Sequence, residues 1–280
     1  MLWLMACTPP QELTERQLWE SLFFLEDDSL VILRMSQGNT GLFKGQASLR
    51  LSRFSSSEQP MEYVMRGTAY DSRFEADNIQ IGPQQLYNDG HWNIRIRDAL
   101  FNVQATLSPS ADLPIPLWDT ADWTTQLHGH EFRAQGWVQL GEFSTPLSAQ
   151  AILLEHTGSA VHHSPRELWV LHLQQGSLIL IQSEDHIMGY HSSLPHLSLS
   201  VAPLQPNTQL SLGEIQLDIG PSKDMGSIDP FEHISTAERL MSSPFFPTHT
   251  ITIMQGNLTV NTAGQSYPAR YTRIITGDID

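Results

Sequence analysis

Leu30-Val-Ile-Leu-Arg-Met-Ser-Gln-Gly38 aligns without a gap to Leu168-Trp-Val-Leu-His-Leu-Gln-Gln-Gly176, with four of nine positions identical. On an extended chain successive side chains point to opposite faces. Val31, Leu33 and Met35 therefore share one face, and Trp169, Leu171 and Leu173 share the matching one. Two further matches follow in the same order. Asn93 to Ala105 and Gln209 to Ile219 each read as two alternating strands, with the phase broken near Asp98-Ala99-Leu100 and near Gly213-Glu214. Ala134-Gln-Gly-Trp-Val138 with Thr145-Pro146 matches Met254-Gln-Gly-Asn-Leu258 with Tyr267-Pro268. Matches in register at a fixed interval are the signature of a duplicated unit. The division they suggest is a leading segment 1–17, a first β module 18–155 and a second 156–280.

Working outward, most of the chain is short alternating runs punctuated by Gly and Pro, which predicts half-buried strands. Ala47 to Leu51, Leu197 to Val201 and Thr250 to Ile253 are further examples, and Arg95 and Arg97 alternating with Ile94 and Ile96 imply one wet and one dry face. Helix is scarce. Thr14 to Phe24 reads as one, with Thr14 as N-cap, and Thr236 to Met241 as a short turn of another. Antiparallel modules of this size must hide their edge strands, and closing into a barrel does so. An eight-stranded barrel has room for packed side chains or one small ligand. The expectation is an all-β chain of two consecutive antiparallel β-barrels.

Composition narrows the partners. The chain has 280 residues, 40% hydrophobic and 16% charged, so it has the makings of a packed core. Its net charge is −15, and Lys44 and Lys223 are its only lysines. That disfavours nucleic acid, whose phosphates need clustered Lys and Arg, and charge-driven docking on anionic lipid. The single cysteine, Cys7, excludes an internal disulfide. Leu4-Met5-Ala6-Cys7 resembles the lipobox of bacterial lipoproteins, with Leu at −3 and a small residue at −1. That resemblance implies cleavage before Cys7, acyl chains including palmitate on it, and Thr8-Pro9-Pro10-Gln11 as a tether. Two or more acyl chains anchor a protein stably where one does not. Six residues are too few for a full leader, so this reading expects more leader upstream of Met1.

Gly136-Trp-Val-Gln-Leu-Gly141, then Ala151-Ile-Leu-Leu-Glu155-His156-Thr157-Gly158, then Leu168 to Gly176, resemble the tandem lipocalin-like family that includes AttH, the carotenoid 1,2-hydratases, survival-factor-like proteins of fungi and some pericyclases. Asp77-Asn-Ile-Gln-Ile-Gly82 and Ile94 to Leu107 fit the family's first barrel. The resemblance covers most of the chain after Leu18. It implies two lipocalin-like barrels and an apolar ligand, often isoprenoid, polyketide or lipid. Some members protonate an alkene as hydratases or cyclases; others accompany export systems as lipoproteins.

Glu155 and His156, at the junction of the two modules, are the candidate acid/base pair for such chemistry. The hydratases have a pattern like Asp-His-Asn-Trp-Gly there, whereas Thr157-Gly158-Ser159 follow His156 here and the Trp is missing. A structural clamp at the junction is the competing reading of the pair. Trp92, Trp137, Trp169 and Tyr190 are the expected ligand-contacting residues, with Trp118 and Trp123 as further aromatic candidates. Phe245-Phe246 between Pro244 and Pro247 would guard a barrel mouth or simply pack. The histidines His162-His163 and His186, His191 and His196 do not fall at the convergent spacing zinc needs, so no metal is expected. No P-loop, Gly-x-Ser-x-Gly or dinucleotide motif is present, and no cofactor is expected. The favoured function is a membrane-anchored lipoprotein that binds or carries an apolar small molecule on the periplasmic side of a bacterial envelope. An accessory subunit of an ABC-type export permease comes second. A hydratase or cyclase acting on an isoprenoid-like substrate comes third.

Overall fold

A computed structural model describes residues 16–38, 46–68, 72–98, 101–108, 114–120, 123–158, 166–174, 176–183, 186–191, 194–199, 204–229, 250–262 and 264–277. Cys7, His162-His163, Thr236 to Met241 and Phe245-Phe246 lie outside them. The described residues are all-β, as the alternation predicts, and form two antiparallel sheets of twelve and eight strands.

The first sheet runs from β1 (Arg16–Phe24) through β2 (Leu30–Gly38), β3 (Gln46–Ser55), β4 (Glu58–Thr68), β5 (Ser72–Glu75), β6 (Asn78–Ile81), β7 (Gln84–Asn88), β8 (Trp92–Arg97), β9 (Phe101–Ser108), β10 (Ile115–Asp119) and β11 (Trp123–Leu140) to β12 (Phe143–Gly158). Its spatial order is β4-β3-β2-β1-β12-β11-β9-β8-β7-β6-β5, with β10 attached to β11 alone. The second holds β13 (Arg166–Leu173), β14 (Gly176–Ser183), β15 (His186–His191), β16 (Leu194–Leu199), β17 (Gln209–Leu212), β18 (Ile215–Ile228), β19 (Ile251–Thr262) and β20 (Gln265–Thr276). Its order is β16-β15-β14-β13-β20-β19-β18-β17. In each sheet the first strand pairs with the last, β1 with β12 and β13 with β20, which curls the sheet back on itself.

Three apolar cores result. Inside the first barrel lie Trp19, Leu33, Met35, Leu49, Ile94 and Val138 with their neighbours. Inside the half-barrel of the second sheet lie Trp169, Leu171, Leu180, Leu217, Leu258 and Tyr271. The third core fills the seam between the outer faces of the two sheets: Leu18, Leu22, Ile32 and Ile152 from the first meet Leu168, Val170, Ile179 and Ile274 from the second. β1, β2, β12, β13 and β14 are therefore apolar on both faces. β8, away from the seam, keeps Arg95 and Arg97 exposed and Ile94 and Ile96 buried.

The seam explains two departures from the sequence reading. Arg16–Phe24 is a strand, not the helix expected from Thr14 to Phe24. Leu18 and Leu22 enter the seam while Trp19 and Phe23 enter the first barrel, so apolar residues stand at both phases of the strand. Their spacing of one and four then imitates a helical stripe. Further, β2 and β13 are not equivalent strands, although their sequences align. The topological counterpart of β13 is β1, and Arg16-Gln-Leu-Trp19 matches Arg166-Glu-Leu-Trp169. Trp19 and Trp169 each point into their own barrel. The other two matches do fall on corresponding strands, β8–β9 with β17–β18 and β11–β12 with β19–β20. Gly136 and Gly256 mark the second of these. A Cβ on Gly136 would lie 1.7 Å from the Gln104 carbonyl oxygen, and one on Gly256 would strike the Tyr271 ring at 2.5 Å.

Candidate functional site

Neighbours on a strand leave by opposite faces, and this separates Glu155 from His156. Glu155 turns into the first barrel. Its Oε2 lies 2.9 Å from His128 Nε2, and its Oε1 accepts a 2.6 Å bond from Gln17 Nε2. A carboxylate only accepts, so the His128 proton on this side sits on Nε2. The Trp19 ring lies 4.6 Å from the imidazole and 5.0 Å from Trp92, and Trp92 stands edge-on to the imidazole at 5.6 Å. These groups meet at the end of the barrel where β1 and β8 begin and β12 finishes. The His128 and Glu155 side chains keep 10% and 13% of their surface exposed, so the pair retains contact with solvent. The Trp19 indole N–H is buried there and has no hydrogen-bond partner among the described residues.

His156 turns the other way, into the seam. Its Nδ1 bonds Thr125 Oγ1 at 2.8 Å, and its Nε2 stands 3.5 Å from Glu20 Oε2 without forming a proper hydrogen bond. Glu20 also accepts from Arg34 Nε at 2.5 Å. Arg166 completes the cluster, and its guanidinium lies 5.9 Å over the Trp123 ring, which stacks on Trp118 at 5.1 Å. All of these side chains are buried. Burial pushes Glu20 up, but Arg34, the neighbouring imidazole and Arg166 together outweigh it and hold the carboxyl well below its ordinary range. Burial, aided by Arg166, pushes His156 down to about 4 against the pull of Glu20. His156 is thus neutral at pH 7 and carries no proton to donate as imidazolium.

The structure therefore pairs Glu155 with His128 rather than with His156. The expected aromatic residues do not converge either. Trp92 sits at the first barrel's mouth. Trp169 packs on Tyr271 inside the second sheet, with its Nε1 on Glu167. Tyr190 lies in the seam. Trp137 is on the surface, bonded to Ser144. Among the described residues no three His, Cys, Asp or Glu side chains gather to hold a metal ion. Sequence reading missed Trp19, hidden inside a supposed helix, and His128, which reaches Glu155 across a bulged stretch of β11. It also missed Glu20, Arg34 and Arg166. Their signal was a charge set in the middle or at the start of an otherwise apolar strand, which is rare unless paired.

Solved structures share this architecture. A candidate AttH from Nitrosomonas europaea superimposes with a TM-score of 0.58 at 12% identity, over 95% of this chain and 93% of that one. The chain has the AttH-like tandem lipocalin fold. Kievitone hydratase from Nectria haematococca matches with a TM-score of 0.55 at 8% identity, over 94% and 89% of the two chains. CghA matches with a TM-score of 0.60 at 5% identity, over 95% and 88%. At these identities the likeness concerns the fold. No family model and no curated protein sequence matches the chain.

Proposed function

We propose that this tandem lipocalin-like protein binds an apolar small molecule at the mouth of the first barrel, where Trp19, Trp92, His128 and Glu155 meet. The carrying observation is the buried, unpartnered Trp19 N–H beside a His–Glu pair that solvent still reaches. Aromatic walls with a few convergent polar groups are the chemistry of small-molecule sites. A ligand with one acceptor oxygen on an apolar body would satisfy the indole while its body covered the two rings. Native mass spectrometry of the protein from its source tests this: a co-purifying apolar compound, lost in Trp19→Ala and Trp92→Ala, is expected. Retention of the compound by both variants contradicts the site.

The His128–Glu155 bond favours a second reading, acid–base chemistry of the hydratase type. A carboxylate bonded to imidazole orients the ring and stabilises its protonated form. The Trp19 and Trp92 indoles, whose rings lie 4.6 and 5.6 Å from the His128 imidazole, would supply aromatic surface to steady a cation left by protonating an alkene. That a hydratase shares the fold supports the reading. The test is incubation of the co-purified compound in heavy-oxygen water. Label enters the product with the natural chain and not with His128→Ala.

Anchorage at Cys7 in a bacterial envelope, facing the periplasm, and service beside an ABC-type permease remain proposals that rest on the lipobox-like run and the family resemblance. Incorporation of labelled palmitate, absent in Cys7→Ser, tests the anchor.

A further inference from the structure

The seam holds a second polar site, independent of the barrel mouth. Six strands bring it together: Glu20 on β1, Arg34 on β2, Trp118 on β10, Thr125 and Trp123 on β11, His156 on β12 and Arg166 on β13. Its hydrogen bonding is incomplete. Among the described residues Arg34 Nη2, Arg166 Nη1 and Trp118 Nε1 are buried without a hydrogen-bond partner, and His156 Nε2 has only the 3.5 Å approach of Glu20 Oε2. Native proteins leave few such groups, and a cluster of them implies a missing acceptor.

Charge points the same way. Two guanidinium groups face one carboxylate, since Arg166 acts on both Glu20 and His156 and Arg34 bonds Glu20. With His156 neutral, the described residues leave one positive charge uncompensated in an apolar seam. Water would fill the hydrogen bonds but not balance the charge. We infer that the cluster binds a small monocarboxylate with a flat apolar body, its carboxylate between Arg34 and Arg166 and its body against the Trp118–Trp123 stack. The planar guanidinium fork matches a carboxylate in two bonds at once. The tryptophan rings stack at an interplanar angle of 11°, offering a flat wall, with Leu18, Leu154, Leu168 and Val170 in the same core.

Calorimetric unfolding of the full chain in chloride-free buffer at neutral pH tests the inference, with benzoate and its uncharged isostere benzamide as probes. At about 10 mM, enough to fill a millimolar site, benzoate raises the midpoint and benzamide does not. Arg166→Gln abolishes the benzoate shift. Glu20→Gln removes the competing carboxylate and tightens benzoate roughly tenfold or more by titration calorimetry, a gain that a purely structural role of Glu20 would not produce. Where Arg166→Gln fails to fold, the natural chain and Glu20→Gln decide. Equal shifts from benzoate and benzamide, no shift from either, or unchanged affinity in Glu20→Gln overturns the site.

Discussion

Glu155 and His156 are adjacent in sequence and belong to different sites. One bonds His128 inside the first barrel, and the other bonds Thr125 in the seam between the sheets. Strand geometry alone enforces this, and the two residues accordingly fail differently when changed. Glu155→Gln keeps the fold, because its side chain is partly solvated, but weakens the hold on His128 and lowers ligand retention. His156→Ala leaves retention of the apolar ligand at the barrel mouth intact and destabilises the seam by about 1–3 kcal/mol, the cost of stranding buried polar partners. Urea unfolding together with a ligand-retention assay on both variants separates them.

The family pattern made Glu155-His156 visible in the sequence, and alternation made the β class visible. The division of labour within the pair was not legible, because it depends on which face of β12 meets the seam. For the same reason Arg16-Gln-Leu-Trp19 was hard to recognise as the counterpart of Arg166-Glu-Leu-Trp169. A strand buried on both faces loses its period of two, and the apolar residues at both phases of β1 then read as a helix. β8, wet on one face, kept its period and was read correctly.

The tryptophans divide sharply by place. Trp19 is 1% exposed in the first barrel, whereas Trp137 is 36% exposed. Trp19→Ala costs about 3–5 kcal/mol, as large-to-small changes in a packed core do. Trp137→Ala costs within about 0.5 kcal/mol, as surface changes do. Denaturant midpoints at constant slope report both.

Gly136 and Gly141 offer a backbone contrast. Alanine at Gly136 meets the Gln104 carbonyl at 1.7 Å and, at φ 150°, has no relaxed conformation, so it disrupts the β9–β11 pairing and prevents recovery of folded protein. Alanine at Gly141 has open space around it and bears only the left-handed φ of 59°, a cost of about 1–2 kcal/mol. Soluble yield and thermal unfolding distinguish the two.

Acid weakens the seam. His156 and His172 are both held down to about 4 in the folded chain, chiefly by burial, with Arg166 and Arg270 adding to it. Unfolded, each returns to the ordinary histidine value of 6.5. Between these values the unfolded chain binds more protons than the folded one, so stability rises with pH and is lost as pH falls from 6.5 towards 4. Glu20, whose folded carboxyl lies below its usual range, adds a loss in the same direction at still lower pH. Unfolding free energy measured against pH drops across that window. His172→Asn makes the drop shallower by about one proton.

The most direct test of the ligand site is a crystal structure of the full chain with phenylnaphthylamine, an uncharged aromatic probe. The probe is expected at the mouth of the first barrel, within about 4 Å of the Trp19 and Trp92 rings, with its amine nitrogen facing the His128–Glu155 pair. Probe bound against Trp169 inside the second sheet, with the Trp19–Trp92 end unfilled, would contradict it.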